Sequence, residues 1–305
     1  MRKAIDIKDL NFSYPDGTLA LENISLEVFA GESVAIIGPN GSGKTTLLLH
    51  LNGILKGQKG SVEILGTNTN DGDITELRRR VGIIFQDPDD QLFMSSVFDD
   101  VAFGPINMGV AKELVKERVK TALELVGLSG YEDRCSHQLS FGEKKRVSFA
   151  TILSMEPEML VLDEPTANLD PRSRDELINI VKRLNEAGKT IIMATHDVNA
   201  VAEIADRIYV LNRSIVATGT TREIFSHQKL LRENNLDAPE VAHLFEVLRC
   251  FGYNCEELPL SIDEAVDHLT RTMEQDGKHI HLHIHEHTHE ELAKLAEGKH
   301  NHHLK

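Results

Sequence analysis

A glycine-rich stretch near the start of the chain constrains the fold more than any other feature: Gly38-Pro39-Asn40-Gly41-Ser42-Gly43-Lys44-Thr45-Thr46. It matches the phosphate-binding loop pattern G-x-x-x-x-G-K-[ST]. An apolar run before it (32–37) predicts a buried strand, and one after it (46–51) predicts the start of a helix. Glycines allow backbone N–H groups to surround phosphate oxygens, and the helix dipole favours negative charge. In such a loop Lys44 reaches the β- and γ-phosphates, and the Thr45 hydroxyl binds Mg²⁺. The stretch predicts a nucleotide site in an α/β domain; the alternative is a glycine-rich turn without a ligand.

Two further apolar runs are predicted strands that end in polar side chains. Residues 159–162 are followed by Asp163 and Glu164, and residues 189–195 by His196. Open α/β sheets bind ligands at the carboxyl ends of their strands, so we expect these side chains near the phosphate loop. Asp163 is expected to hold Mg²⁺ through water and Glu164 to polarise an attacking water, although two acids there also suit a helix cap. His196 is either a γ-phosphate contact or an ordinary surface histidine.

The rest of the chain predicts additions to this domain. Residues 1–30 alternate apolar and polar positions, which indicates antiparallel strands, and 15–17 form a turn signal. Tyr14 precedes that turn and either packs as a half-buried aromatic or stacks on a nucleotide base. Residues from about 87 to 155 are predicted to be mainly helical, as an insertion between strands. With 305 residues and 41% hydrophobic content, the chain can hold one large domain and a smaller one.

Composition excludes several other classes of protein. The net charge of −15 argues against binding nucleic acid by neutralising phosphates. No apolar run is long enough to span a membrane, and the start of the chain lacks a signal-peptide core. Three cysteines without C-x-x-C spacing suggest reduced thiols, with metal ligation by Cys250 and Cys255 as the alternative. We therefore expect a cytosolic chain that can dock on a membrane protein.

The segment Leu139-Ser140-Phe141-Gly142-Glu143-Lys144-Lys145-Arg146 resembles the signature motif of ABC ATPases, usually L-S-G-G-Q. Phe141 replaces a glycine and Glu143 replaces the glutamine, while Ser140 and Gly142 are retained. Other motifs of that family have counterparts in the same order: Tyr14 in the A-loop, Gln86 in the Q-loop, Asn168-Leu169-Asp170 in the D-loop and His196 in the H-loop. The resemblance covers roughly residues 3–225.

This resemblance implies a fold, a reaction and a set of residues. The fold is an α/β P-loop NTPase domain with an antiparallel β subdomain, a helical insertion and a small C-terminal helical extension. The reaction is hydrolysis of ATP with Mg²⁺, for which the implied catalytic residues are Glu164, His196, Gln86 and Lys44. The implied ATP-binding residues are Tyr14, Gly38, Pro39, Asn40, Gly41, Ser42, Gly43, Lys44, Thr45 and Thr46, and the implied Mg²⁺ ligands are Thr45, Gln86 and Asp163. In the family, a second protomer bound head to tail supplies its signature to the γ-phosphate, here Ser140, Gly142 and Glu143.

A narrower resemblance follows Gln86. Residues 86–93 and 100–105 resemble the ATPases of energy-coupling-factor transporters, which import vitamins or transition metals using a separate membrane-embedded substrate binder. The segment lies where ABC ATPases receive coupling helices; the alternative is an ordinary polar loop. The resemblance implies as partners a second ATPase subunit, identical or not, an integral-membrane coupling subunit and a substrate-binding membrane subunit. It places the chain at the cytoplasmic face of the cell membrane, as a peripheral protein.

The C-terminal part is expected to form two pieces. Residues 226–278 predict a small helical domain, with one helix starting at Pro239 and a capping box at residues 261–264; dimerisation is its expected role. Residues 279–305 form a histidine-rich tail in which six histidines recur at every second position: His279, His281, His283, His285, His287 and His289. Imidazoles suit Ni²⁺ and Co²⁺, so the tail is a candidate metal buffer or sensor. A cloning tag and a pH-responsive or solubilising tail are the alternatives.

Together these features predict the ATP-hydrolysing subunit of a cobalt or nickel importer of the energy-coupling-factor type. One alternative is the same class of transporter serving a vitamin. Alternatives from other classes are a soluble, non-transport ABC ATPase and a metal-storage or metallochaperone protein. The first of these usually has two nucleotide domains or a long coiled coil, and the second predicts negligible ATP turnover.

Overall fold

The computed structural model describes residues 2–251, 253, 255, 257–276 and 279–282 of the chain. The strands are β1 (Lys3–Ser13), β2 (Leu19–Phe29), β3 (Ser33–Ile37), β4 (Lys59–Ile64), β5 (Thr67–Asn68), β6 (Val81–Ile84), β7 (Met159–Asp163), β8 (Thr190–Ala194), β9 (Arg207–Asn212), β10 (Ser214–Thr220), β11 (Met273–Asp276) and β12 (His279–Leu282). The helices are α1 (Lys44–Leu51), α2 (Ile74–Arg80), α3 (Val97–Asn107), α4 (Lys112–Leu125), α5 (Phe141–Leu153), α6 (Pro171–Glu186), α7 (Val198–Ile204), α8 (Thr221–Ser226), α9 (Gln228–Glu233), α10 (Glu240–Cys250) and α11 (Ile262–Thr272).

The larger sheet sets the position of the nucleotide site. Its strand order is β10-β9-β3-β8-β7-β6, and its pairs are parallel except for the antiparallel pair of β9 and β10. Every residue of β3, β7 and β8 is buried, as expected for parallel strands that are covered on both faces. The carboxyl ends of these three strands therefore meet at one edge of the sheet. The predicted α/β class is confirmed.

The smaller sheet holds the other side of the site. Its order is β2-β1-β4-β5 and all its pairs are antiparallel, as predicted for the first part of the chain. Inward side chains of this sheet share one hydrophobic cluster with β3 and with Leu47 and Leu48 of α1, both fully buried. Since α1 packs against both sheets, the loop before it is fixed between them.

Three helices form the predicted insertion between β6 and β7. In α4 the buried side chains recur at helical spacing, at Val115, Val119, Ala122 and Leu123. The helix ends one residue before Val126, and Gly127 follows with a φ of +71°, a conformation that glycine adopts readily. Helix α5 starts at the signature segment and runs back to β7. The insertion thus begins with the segment after Gln86 and ends at the strand that carries Asp163.

The chain divides into two compact units after Leu236, beyond the expected boundary at residue 225. Helices α8 and α9, which follow that expected boundary, belong to the first unit. In the second unit α10 starts after Pro239, and Phe245 packs edge-on against Tyr253. The Ser261 hydroxyl caps α11 by accepting from the backbone N–H of Glu264 (3.2 Å). The Glu264 carboxylate in turn accepts from Leu260 N at 2.9 Å.

Candidate nucleotide-binding site

The phosphate loop connects β3 to α1 at the shared edge of the sheet. Two of its glycines are required by close packing: a Cβ on Gly38 would collide with the backbone oxygen of Leu211, and one on Gly43 would lie 2.5 Å from the backbone oxygen of Ala20. Gly43 also has a φ of +99°, which L side chains rarely adopt. The local sequence therefore wraps the loop tightly between β2 and β9.

Lys44 bends back over this loop. Its buried ammonium donates to the carbonyl oxygens of Gly38 (2.8 Å) and Pro39 (3.2 Å). Burial lowers the pKa of Lys44, while the nearby carboxylates of Glu164 and Asp163 oppose that change. The cation is thus held at the mouth of the loop, where a phosphate would replace carbonyl contacts by stronger ones.

Asp163 ends β7 at the same edge. Burial raises the pKa of its carboxyl group, and a hydrogen bond from the Thr45 side chain opposes this effect. Its Oδ1 is buried and has no hydrogen-bond partner among the described residues. Thr45, Asp163 and Gln86 line one cavity of ≈ 480 Å³. A hydroxyl, a carboxylate and an amide oxygen are a set of oxygen ligands that fits Mg²⁺. The carboxylate oxygen without a hydrogen-bond partner in the described part of the chain is suited to bind a cation.

Glu164 follows in a strained conformation, with a φ of +43°. Its Oε2 accepts from the Thr195 hydroxyl at 2.9 Å, and the Nδ1 atom of His196 also lies 2.9 Å from it. The Glu164 side chain is 10% exposed, whereas the His196 side chain is 67% exposed. The carboxylate is therefore held in one orientation, and the imidazole stays at the mouth of the cavity.

Tyr14 borders the cavity from the side of the smaller sheet. Its hydroxyl lies 2.9 Å from the Thr46 hydroxyl, and its ring packs edge-on against Phe12. Phe12 packs in turn against the buried ring of His50. Tyr14 is 37% exposed, so part of its ring remains accessible beside the phosphate loop. A ring fixed on one edge and open on a face is suited to stacking on a base.

The signature segment lies outside this cavity. Ser140 caps α5 by accepting from the backbone N–H of Glu143 (3.3 Å), and Glu143 accepts from the backbone N–H of Ser140 (2.8 Å). Tyr131 donates to the other oxygen of Glu143, and these hydrogen bonds, that of Ser140 first, hold the pKa of Glu143 below its usual range. Both carboxylate oxygens of Glu143 are thus engaged within the chain. A Cβ on Gly142 would lie 2.6 Å from the Ser173 hydroxyl of α6.

Of the predicted nucleotide-site residues, Gly38, Pro39 and Ser42 belong to the phosphate loop but do not line the cavity beside it. The others fall into two groups. One cavity brings together Tyr14, Asn40, Gly41, Gly43, Lys44, Thr45, Thr46, Gln86, Asp163, Glu164 and His196. Ser140, Gly142 and Glu143 do not line that cavity. Their separation is the arrangement that a site shared between two protomers requires.

Three residues near the site escaped the sequence prediction. Thr195 orients Glu164. Arg213 lines the cavity from the turn between β9 and β10, with a φ of +61° and its backbone N–H donating to Ser42 O (2.9 Å). Lys145 in α5 is fully buried, and burial lowers its pKa to about 8. No motif marks Arg213, and Lys145 has no assigned role in the signature segment. Phe141 and Phe149 stand four residues before and after Lys145, and that helical spacing was a usable signal that the lysine lies on a buried face.

The histidine tail is only partly within the described residues. The backbone of β12, which includes His279 and His281, pairs with β11. The predicted metal ligands His283, His285, His287 and His289 lie outside the described residues. Within the described ranges, no group of three or more His, Cys, Asp or Glu residues is arranged to hold a metal ion. No helix in those ranges is long and apolar enough to cross a membrane.

Known sequences resemble this chain over most of its length. A family model for the ABC transporter matches residues 21–167. The energy-coupling factor transporter ATP-binding protein EcfA of Methanothermobacter thermautotrophicus is 47% identical over 275 residues, covering 89% of this chain and 88% of that protein. The protein of the same name from Methanocaldococcus jannaschii is 49% identical over 247 residues, covering 80% and 88%.

Solved structures agree with these sequences. CbiO1 from Clostridium perfringens, described as part of the ABC transporter complex CbiONQ, has a TM-score of 0.70 and is 40% identical, covering 81% of this chain and 100% of that one. An ATP-binding cassette solved as a dimer in a post-hydrolysis state with ADP and Pi has a TM-score of 0.66 and is 29% identical, covering 72% and 99%.

Proposed function

Because this chain belongs to the ABC transporter ATPases, as an ATP-binding subunit of the energy-coupling factor type, we propose that it powers the import of a transition metal ion, cobalt or nickel. ATP hydrolysis coupled to transport is the activity of this family. The proposal for the transported substrate rests on one observation, the six histidines at alternating positions from 279 to 289.

We infer the roles of the site residues from their geometry. Lys44 and the loop N–H groups bind the β- and γ-phosphates, and Tyr14 stacks on the adenine. Thr45, Asp163 and Gln86 hold Mg²⁺, which when bound neutralises charge on the phosphates. Glu164 orients and deprotonates the attacking water, helped by the Thr195 contact that fixes its carboxylate.

His196 is proposed to donate to the γ-phosphate. Its Nδ1 atom contacts Glu164, which leaves Nε2 for the nucleotide. Ser140 and Gly142 are proposed to contact the γ-phosphate held by a second protomer. The Ser140 hydroxyl accepts one hydrogen bond in the helix cap, so its own hydrogen remains available for a phosphate oxygen.

The proposed partners are a second ATPase subunit and two membrane subunits, one for coupling and one for binding substrate. The first part of the insertion presents apolar side chains to solvent: Phe93, Phe103 and Ile106 are 58%, 42% and 59% exposed. The rings of Phe93 and Phe103 pack edge-on at 5.0 Å between centroids. A preformed aromatic pair is suited to receive a helix of a membrane subunit. The proposed location is accordingly the cytoplasmic face of the cell membrane.

The test measures accumulation of Co²⁺ and Ni²⁺ in cells that carry the intact transporter with either the unchanged chain or Lys44→Ala. If Lys44→Ala abolishes accumulation of one metal, the importer proposal stands and its substrate is identified. If neither metal depends on Lys44 while a vitamin does, the vitamin importer replaces it. Expression of the whole complex is verified in each strain.

A second arm tests the tail. Replacing the six histidines from 279 to 289 by asparagine keeps the chain length and leaves the backbone of β12 in place, whereas truncation after Lys278 removes that strand. The buffer or sensor role predicts weaker metal binding by calorimetry and reduced, not abolished, accumulation. Unchanged metal affinity would exclude that role.

A further inference from the structure

Lys145 is a charged side chain in the interior of the protein. It lies in α5, five residues after the cap residue Ser140, and its relative exposure is 0%. Burying an ammonium costs a large amount of free energy unless it is paired and hydrogen-bonded. A lysine in this position must therefore be compensated by its surroundings.

The compensation comes from backbone carbonyls of two other segments. The Lys145 ammonium donates to the carbonyl oxygens of Phe85 (2.9 Å) and Gln86 (2.8 Å), and it lies 3.5 Å from the carbonyl oxygen of Glu164. An ammonium has three donors, so these three carbonyls match its capacity. One side chain thus joins α5 to the two residues that follow β6 and to the residue that follows β7.

The acidic groups near Lys145 belong to the same two segments. Asp163, Asp87 and Glu164 each favour the charged form of the lysine. Each is adjacent in sequence to, or identical with, a residue whose carbonyl Lys145 contacts. The cation therefore compensates the charge cluster at the floor of the nucleotide site as well as the carbonyls.

Two further contacts fasten the segment after Gln86 to α5. Lys144 forms an ion pair with Asp89 at 2.7 Å, and the Gln91 amide donates to the Thr151 hydroxyl at 2.7 Å. The Lys144–Asp89 pair is more exposed and touches neither Gln86 nor Glu164. Among these contacts, Lys145 is the one that reaches both loops of the site.

We propose that Lys145 is a positioning residue for ATP hydrolysis. Its ammonium fixes the backbone of Gln86 and of Glu164 relative to α5, so that a displacement of α5 is transmitted to both side chains. Helix α5 starts at the signature segment and packs on α3. A second protomer or a membrane subunit that binds there displaces α5, and Lys145 transmits this displacement to the Glu164 carboxylate. The inference rests on the roles proposed for Gln86 and Glu164 and is independent of the transported substrate.

The test compares Lys145→Met with Lys144→Met in the full chain, using ATPase kinetics and the equilibrium affinity for a fluorescent ATP analogue. Methionine keeps the length of the stem and removes the ammonium. For Lys145→Met we expect kcat to fall about tenfold or more, while KM and analogue affinity change less than about threefold, because misplaced catalytic groups slow chemistry more than binding. Lys144→Met, which removes the same charge one residue earlier, is expected to stay within about twofold of the unchanged chain.

A double-mutant cycle separates positioning from general stability. In a Gln86→Ala background, Lys145→Met should lower kcat by a clearly smaller factor than in the unchanged chain, since part of its effect passes through Gln86. A merely structural role predicts the same factor in both backgrounds. That equality, or an unchanged kcat in Lys145→Met, would overturn the proposal.

If Lys145→Met does not fold, Lys145→Arg takes its place in the double-mutant cycle. Lys145→Arg keeps the charge and alters only the geometry of the donors. Lys145→Arg is expected to fold and to have a kcat between those of the unchanged chain and Lys145→Met. The factor by which it lowers kcat should again be smaller in the Gln86→Ala background. A Lys145→Arg chain with the same factor in both backgrounds, or with full activity, would refute the positioning role.

Discussion

Glu164→Gln should separate ATP binding from hydrolysis. The amide keeps the volume and accepts the hydrogen bond from Thr195, but it cannot take a proton from water. We expect kcat to fall about 10²-fold or more with little change in nucleotide affinity. Steady-state ATPase assays and equilibrium binding of an ATP analogue measure the two quantities. An active Glu164→Gln chain would remove Glu164 from the mechanism.

Tyr14 offers a residue-scale test of how the base is bound. Tyr14→Ala removes the ring and is expected to raise KM for ATP roughly tenfold, because stacking on a base contributes about 1–3 kcal/mol. Tyr14→Phe keeps the ring and loses only the contact to Thr46, so its KM should stay within about fivefold. Equal increases of KM for the two substitutions would show that the hydroxyl, not the ring, accounts for the contribution of Tyr14 to ATP binding.

His50 should make the protein less stable in acid. Its Nδ1 donates to the Thr46 carbonyl at 2.8 Å, and its ring packs on Phe12 of β1. Nε2 is buried and has no partner among the described residues. Burial lowers the pKa of His50 below the value of 6.5 that applies to the unfolded chain. As pH falls through 6.5, the unfolded chain takes up a proton that the folded chain resists, so the free energy of unfolding decreases.

The measurement is the unfolding temperature as a function of pH. His50→Asn should show a shallower decline below pH 6.5 than the unchanged chain, whatever its absolute stability. His137→Asn is the matched control for the substitution itself, because His137 is exposed. Parallel curves for His50→Asn and the unchanged chain would contradict the assignment.

At the scale of elements, the aromatic pair before and within α3 is expected to bind the membrane subunit. Changing Phe93 and Phe103 to serine should abolish copurification with that subunit, because exposed aromatic anchors contribute much of the energy of an interface. The ATPase activity of the isolated chain should stay within about twofold, since neither ring lines the nucleotide cavity. Val216→Ser, at another exposed apolar residue, is the control. Retained copurification of the double variant would locate the interface elsewhere.

Elements with a clear period were predictable from the sequence. Residues from about 87 to 155, predicted to be mainly helical, contain α3, α4 and α5, and the strands predicted before Asp163 and His196 are β7 and β8. The predicted boundary at residue 225 differs from the division after Leu236 that the contacts give. Helices α8 and α9 are short, and their membership of the first unit depends on contacts made in three dimensions, which no local pattern records.

At the scale of the whole molecule, the ATP site should require two protomers. Lys44→Ala removes the phosphate lysine, and Ser140→Arg blocks the signature; each should be inactive alone. When equal amounts are mixed, half of the dimers combine the two variants and contain one intact composite site. Activity should therefore recover to roughly a quarter of that of the unchanged chain, if sites act independently. ATPase assays before and after mixing measure the recovery.

The mixing experiment has a built-in control. Lys44→Ala mixed with Glu164→Gln places both defects on the same side of the composite site, so each site of a mixed dimer carries one of them and no activity should recover. Lys44→Ala with Ser140→Arg in one chain, mixed with the unchanged chain, leaves each mixed dimer without an intact site. No recovery in the mixture of Lys44→Ala and Ser140→Arg would mean that both sites must function together or that the site is not shared.

The sequence by itself located the phosphate loop and the two carboxylates and predicted the α/β class, and the resemblance to ABC ATPases pointed to Tyr14, Gln86 and His196. These are local features: a motif is contiguous, and a buried strand or an amphipathic helix has a period that short-range physics imposes. The tertiary structure alone decided that Lys145 binds carbonyls 60 and 59 residues earlier in the chain, that Thr195 orients Glu164, and that the signature stays outside the cavity. Those contacts join segments that are distant in sequence, and their geometry follows from how the sheet and the insertion pack, which no spacing along the chain encodes.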